Sequence, residues 1–142
     1  MIIKGEEIKK LIPQRYPMMM VDEFEEQGEN NAVTALKIVA DNYFLLPNGD
    51  MSVSGVIEHI AQSCSALAGF QARQKASESR NPPVGMIAEV KNFNCTRFPK
   101  KGETIHTNVS FGFSFGQMTL AHGISTIGTE TIAEVDLKIF MQ

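Results

Sequence analysis

Apolar positions along this chain follow two rhythms, one helical and one extended. From Gly55 to about Ala76 the stretch GVIEHIAQSCSALAGFQARQKA holds no proline, and Val56, Ile60, Cys64, Leu67 and Ala68 recur at spacings of three and four. That spacing predicts one long helix. Its small residues, among them Ala61, Ser63, Ser65, Ala66, Ala68 and Gly69, let other backbone approach closely, so the helix is expected to be wrapped by a sheet. Beyond a loop over Ser77 to Pro83 the pattern becomes strand-like, roughly Gly85 to Phe98, Thr104 to Phe115, Met118 to Thr126 and Thr131 to Phe140. Short turns at Lys100-Lys101-Gly102, Gly116-Gln117 and Gly128-Thr129 separate these runs, which predicts antiparallel pairing of neighbours.

Before the long helix the signals are shorter. Ile8, Leu11 and Ile12 fall at helical spacing within Gly5 to Ile12, and Pro13 disfavours helix in the residue before it, which predicts a short leading helix. An apolar run, Met18 to Val21, a charged Asp22 to Glu26 and an alternation through Val33, Ala35, Lys37 and Val39 are read as the first strands. One helix followed by a meander of long strands is an α+β arrangement, with an antiparallel sheet curled around the helix. At 142 residues the chain has length for one such domain, residues 1–142.

Composition narrows the function classes. The net charge of −3, with Lys and Arg scattered, gives no basic field of the kind that attracts nucleic acid. The two cysteines, Cys64 in the helix and Cys95 in a strand, suggest neither a disulfide framework nor a zinc site, which fits a cytoplasmic setting. MIIKGEEIKK is too charged for a signal peptide, and no apolar run approaches the ~20 residues of a membrane span. The cluster Met18-Met19-Met20 is expected to fill irregular core space, and no metal or other cofactor is indicated.

Three ordered stretches resemble the β-hydroxyacyl-[acyl-carrier-protein] dehydratases. EEIKKLIPQRYPMMMVDEFEE is similar to their opening, a short helix leading to Leu-Pro-His-Arg-Tyr-Pro, an apolar run and Val-Asp. GVIEHIAQSCSALAG resembles their central helix with its Glu-x-x-Ala-Gln core, and is closer still to the branch associated with aryl-polyene synthesis. GMIAEVKNFNCTRFPKKGETI is similar to a strand pair whose turn follows a basic Arg-Phe segment. The resemblance implies a hot-dog fold, assembled as dimers with active sites along the subunit interface. It also implies an acyl-carrier-protein or CoA thioester as partner, and a homodimer or a higher oligomer of dimers.

Dehydration of a β-hydroxyacyl thioester removes the α-proton, protonates the departing hydroxyl and stabilises charge on the thioester oxygen. The resemblance gives Glu58 the hydroxyl, and Gly55 backbone N–H donors at the helix start that suit a developing oxyanion. Gln62 lies one turn after Glu58 and shares its face, placed to orient it or a water. The family's catalytic histidine corresponds to a position on or near Leu45, in NYFLLPNGDMSVSG, where Pro47 matches the family proline, and its earlier histidine corresponds to Gln14. Among the chain's histidines, His59 is turned about 100° from Glu58 on the helix and is expected to point away, while His106 and His122 fall in strands.

Lys91, Arg97, Lys100 and Lys101 form an acid-free basic stretch, read equally as a docking surface for an acidic carrier protein and as a lysine-protected strand edge. Three functions remain open: a β-hydroxyacyl thioester dehydratase with an unidentified base, an acyl thioesterase in which Glu58 activates water, and a non-catalytic carrier-binding or dehydratase accessory subunit.

Overall fold

The computed structural model describes residues 1–75 and 82–141. The expected helix end near Ala76 and most of the expected loop, residues 77–81, lie outside the described residues. The chain begins with a short strand β1 (Ile2–Lys4) and a 3₁₀ helix (Gly5–Lys10), then β2 (Glu23–Gly28) and β3 (Asn31–Lys37). The helix α1 (Val53–Lys75) follows, and after it come β4 (Gly85–Cys95), β5 (Thr104–Phe115), β6 (Met118–Ile127) and β7 (Glu130–Met141).

Among the described residues seven strands join one sheet in the order β1-β2-β3-β5-β6-β7-β4, and each neighbouring pair is antiparallel. Successive side chains of a strand point to opposite faces, and the buried set follows that period. Ile105, Thr107 and Val109 on β5, Ala121, Gly123 and Ser125 on β6, and Val135, Leu137 and Ile139 on β7 turn inward around α1. A curved antiparallel sheet wrapped on one long central helix is the hot-dog fold.

Two glycines set how closely the helix sits. A Cβ at Gly69 would overlap the backbone carbonyl of Leu11, and one at Gly123 would fall 2.5 Å from Ile60 Cγ2. Both positions therefore need the missing side chain. Leu11 itself closes the 3₁₀ helix, its N–H donating to Ile8 O at 2.8 Å.

The run Met18–Val21 is no strand, because β2 begins only at Glu23. Its backbone is satisfied instead by side chains of α1: Gln62 bonds Met18 O and Met20 N, and His59 bonds Met20 O. A buried backbone polar group needs a partner, and here the partner comes from about forty residues away. Met20 is fully buried, as expected for a core filler, while Met19 is half-buried and Met18 exposed.

Candidate active site

Helix α1 starts two residues before Gly55, because Ser52 caps it. The Gly55 N–H donates to Ser52 Oγ at 3.2 Å, and Val56 N–H makes the first helical turn bond to Ser52 O at 3.1 Å. This corrects the expectation that Gly55 leaves an N–H open for an oxyanion. Gly55 is the third helical residue, its donor is taken by the cap, and it packs against Met51 and Phe44.

The early start fixes the angular position of everything after it. Glu58 is half-buried and lines a cleft of about 280 Å³. The walls come from α1 through Ala61, Gln62 and Ser65, from the start of β4 through Met86 and Ile87, and from Gln14. Gln62 is fully buried and its amide is completely used. Its Oε1 accepts from Met20 N–H at 2.6 Å, which fixes the amide orientation. Its Nε2 then donates one hydrogen to Met18 O and the other to Glu58 Oε2, both at 2.7 Å. The second oxygen of Glu58 has no hydrogen-bond partner among the described residues.

His59 turns to the opposite side, as its rotation on the helix predicts. It is fully buried against the sheet, with Nδ1 2.7 Å from Met20 O and Nε2 2.8 Å from Thr107 Oγ1. A carbonyl only accepts, so Nδ1 carries the hydrogen and Nε2 accepts from Thr107. Thr107 has then spent its hydroxyl hydrogen, and Ser125 Oγ donates to it at 2.6 Å. Burial pushes the His59 imidazole down to about 4, against the raising effect of its bond to Met20 O, and nearby His106 lowers it further. His59 is thus a neutral, fully bonded strut between helix and sheet.

Thr34, Thr107 and Ser125 are cross-strand partners in register, a polar row on the inner face of β3, β5 and β6. Ser63 joins it, donating to His59 O at 2.8 Å and accepting from Thr34 Oγ1 at 2.7 Å. Sequence reasoning missed this row. Its signal was there in part, since Thr34, Thr107 and Ser125 each occupy an inward position of their strand, where apolar residues are the rule.

The other two histidines lie away from the cleft. His122 is clamped between Glu134 at 2.9 Å and Asp136 at 2.6 Å, and Asp136 is held below the usual carboxylate range first by Asn92 and then by His122. His106 is exposed, beside Glu23 and Ala35. Of the basic residues, Arg97 forms an ion pair with Glu103 at 3.0 Å and with Glu130 at 3.1 Å, tying the end of β4 to the starts of β5 and β7. Lys100 pairs with Asp50 at 2.8 Å, Lys91 lies 3.6 Å from Glu89 near His122, and Lys101 is exposed at the turn. None of the four lines the Glu58 cleft. Leu45 bridges to Met51 within the loop before α1.

A family model described as ApeP-like, ApeP dehydratase, matches residues 6–142. The chain belongs to this family. In sequence it is 29% identical over 135 residues to the 3-hydroxyacyl-[acyl-carrier-protein] dehydratase FabZ of Clostridium botulinum (strain Loch Maree / Type A3), covering 92% of this chain and 90% of that protein. The FabZ of Oceanobacillus iheyensis is 28% identical over 142 residues, covering 93% of this chain and 94% of that protein. Among solved structures, the dehydratase heterocomplex ApeI:P from Xenorhabdus doucetiae superposes with a TM-score of 0.84 at 15% identity, over 95% of this chain and 90% of that one. A hypothetical thioesterase from Streptococcus pneumoniae with coenzyme A gives a TM-score of 0.64 at 11% identity, over 84% of each chain. At such identities both show the fold alone. Family and sequence relatives together make this ApeP-like chain a dehydratase-like member of the hot-dog proteins.

Proposed function

We propose that the chain acts on β-hydroxyacyl thioesters as a dehydratase, with Glu58 as the group that protonates the departing hydroxyl. The observation that carries this reading is the Gln62–Glu58 bond at 2.7 Å, which locks one carboxylate oxygen and leaves the other without a partner among the described residues. Fixing one oxygen pre-orients the other for proton transfer, so little orientational freedom is lost when substrate arrives.

The reaction also needs a base for the α-proton, and none of the three histidines lines the cleft. The base therefore enters from another chain. An open strand edge invites pairing, and β4, at the end of the sheet, carries the exposed apolar residues Met86, Ile87 and Val90. Met86 and Ile87 line both that edge and the Glu58 cleft, so a subunit pairing there completes the site. A second subunit of the same family, identical or different, is the partner this reading requires. The heterocomplex named for the structural neighbour supports a different one.

The acyl chain is assigned to the α1 face that continues from Glu58. A second cavity of about 560 Å³ is lined by Ala68 and Ala72 of that face and shares Ile139 with the Glu58 cleft. The carrier is an acyl-carrier protein or coenzyme A. Because Arg97 and Lys100 are held in ion pairs, Lys101 is the basic residue with most freedom to meet an acidic carrier. Two free thiols, Cys64 and Cys95, support a reducing, cytoplasmic location.

Mass spectrometry of a β-hydroxyacyl-carrier thioester incubated with the protein, alone and with a co-expressed dehydratase subunit, tests the reading. Loss of water that disappears with Glu58→Gln is expected. Release of free thiol makes the protein a thioesterase, and unchanged substrate in both settings leaves it a binding subunit.

A further inference from the structure

Gln14 and Gln62 line the same cleft, yet their amides stand in opposite conditions. Every hydrogen-bonding atom of the Gln62 amide is engaged by protein. Gln14 Oε1 is buried and has no partner among the described residues. Folded proteins satisfy nearly all buried polar atoms, so an orphaned acceptor on a residue of the cleft wall points to a ligand that supplies the missing hydrogen. The cleft wall opposite the α1 residues is apolar at Met86, Ile87 and Ile139, and offers no donor from a side chain.

We propose that Gln14 Oε1 accepts a hydrogen bond from the β-hydroxyl of the substrate, and so selects a hydroxyacyl thioester over its unhydroxylated counterpart. This rests on the reading that the cleft takes β-hydroxyacyl thioesters. A hydroxyl has one hydrogen to give and two lone pairs. Giving its hydrogen to Gln14 leaves a lone pair free to face the unbonded oxygen of Glu58, so the two residues divide the hydroxyl between them. The enoyl product has no hydroxyl, loses this hold and leaves the cleft more readily. Such a role is distinct from that of Glu58: Gln14 transfers no proton and sets which chain binds.

The test uses two probes in which an amide nitrogen replaces the thioester sulfur, 3-hydroxydecanoyl-pantetheine amide and decanoyl-pantetheine amide, neither being turned over during a titration. Wild-type protein should bind the hydroxylated probe roughly five- to tenfold more tightly, the discrimination one neutral hydrogen bond gives. In Gln14→Met, similar in length but without the acceptor, that ratio should fall to about one. In Gln14→Glu, which keeps an oxygen at the same reach, a preference should return. Equal binding of the two probes by wild type, or a ratio that survives Gln14→Met, overturns the proposal while leaving the acyl-thioester reading in place. Failure of wild type to bind either probe, both alone and with the co-expressed dehydratase subunit, overturns both.

Discussion

The strut at His59 makes stability depend on pH in a defined direction. Folding lowers this imidazole from its ordinary value of 6.5 to about 4, chiefly by desolvation. Between those values the unfolded chain takes up a proton that the folded one refuses. The contribution from a neutral His59 is therefore fully present above about pH 6.5 and is lost as pH falls toward 4. Linkage between those two values amounts to about 2 kcal/mol lost from pH 7 to pH 5, a sizeable share of a marginal total. Other groups titrate in the same window, so the reading is differential. Urea unfolding of wild type and of His59→Gln is followed from pH 7 to pH 5 at one fixed protein concentration, since the stability of any assembled form depends on it. The glutamine amide reaches toward the same Met20 O and Thr107 partners but does not titrate. Wild type should lose about 2 kcal/mol more than the variant over that range, whatever the starting stability of either. Parallel curves would refute the argument that burial holds His59 neutral.

Two further changes probe the packing. Gln62→Leu strips a buried Met20 N–H and a part-buried Met18 O of their partner, which should cost about 1–3 kcal/mol by urea unfolding, and it should also lower any Glu58-dependent turnover by freeing the carboxylate. Unchanged stability would mean that water replaces the amide. Gly69→Ala sets a helix-propensity gain of about 1 kcal/mol against overlap with the Leu11 carbonyl, a backbone atom that moves only with its segment, at a cost of about 1–3 kcal/mol or more. Net destabilisation in thermal melts is expected, and a raised melting temperature would contradict the close contact.

Much of this fold is legible in the sequence because its elements are local. Strands β4 to β7 show alternation between glycine-marked turns, and α1 is a long proline-free run with small residues at the contact face. The helix begins two residues before the apolar period shows it, since Ser52 acts through its side-chain oxygen and adds nothing to that period. Strand β1 spans only three residues, too short for any period to show. Met18–Val21 has the apolar content of a strand, and only contacts with Gln62 and His59 reveal that its backbone is paired with a helix. At the site, the shared face of Glu58 and Gln62 follows from spacing along one helix. The orphaned oxygen of Gln14 does not, because it depends on where β4 comes to lie.

The bonds that hold Glu58 in place read the main chain of Met18 and Met20, and ignore the thioethers. Side-chain identity in this segment is thereby uncoupled from the geometry of the carboxylate. Met18, exposed to solvent, is open to bulkier, smaller or more polar replacements without releasing the glutamine, whereas Met19 packs in part against the core. The veto at position 20 falls on proline, which has no N–H to offer. A protein built this way can vary the side chain beside the anchor while the Glu58 carboxylate stays where it is.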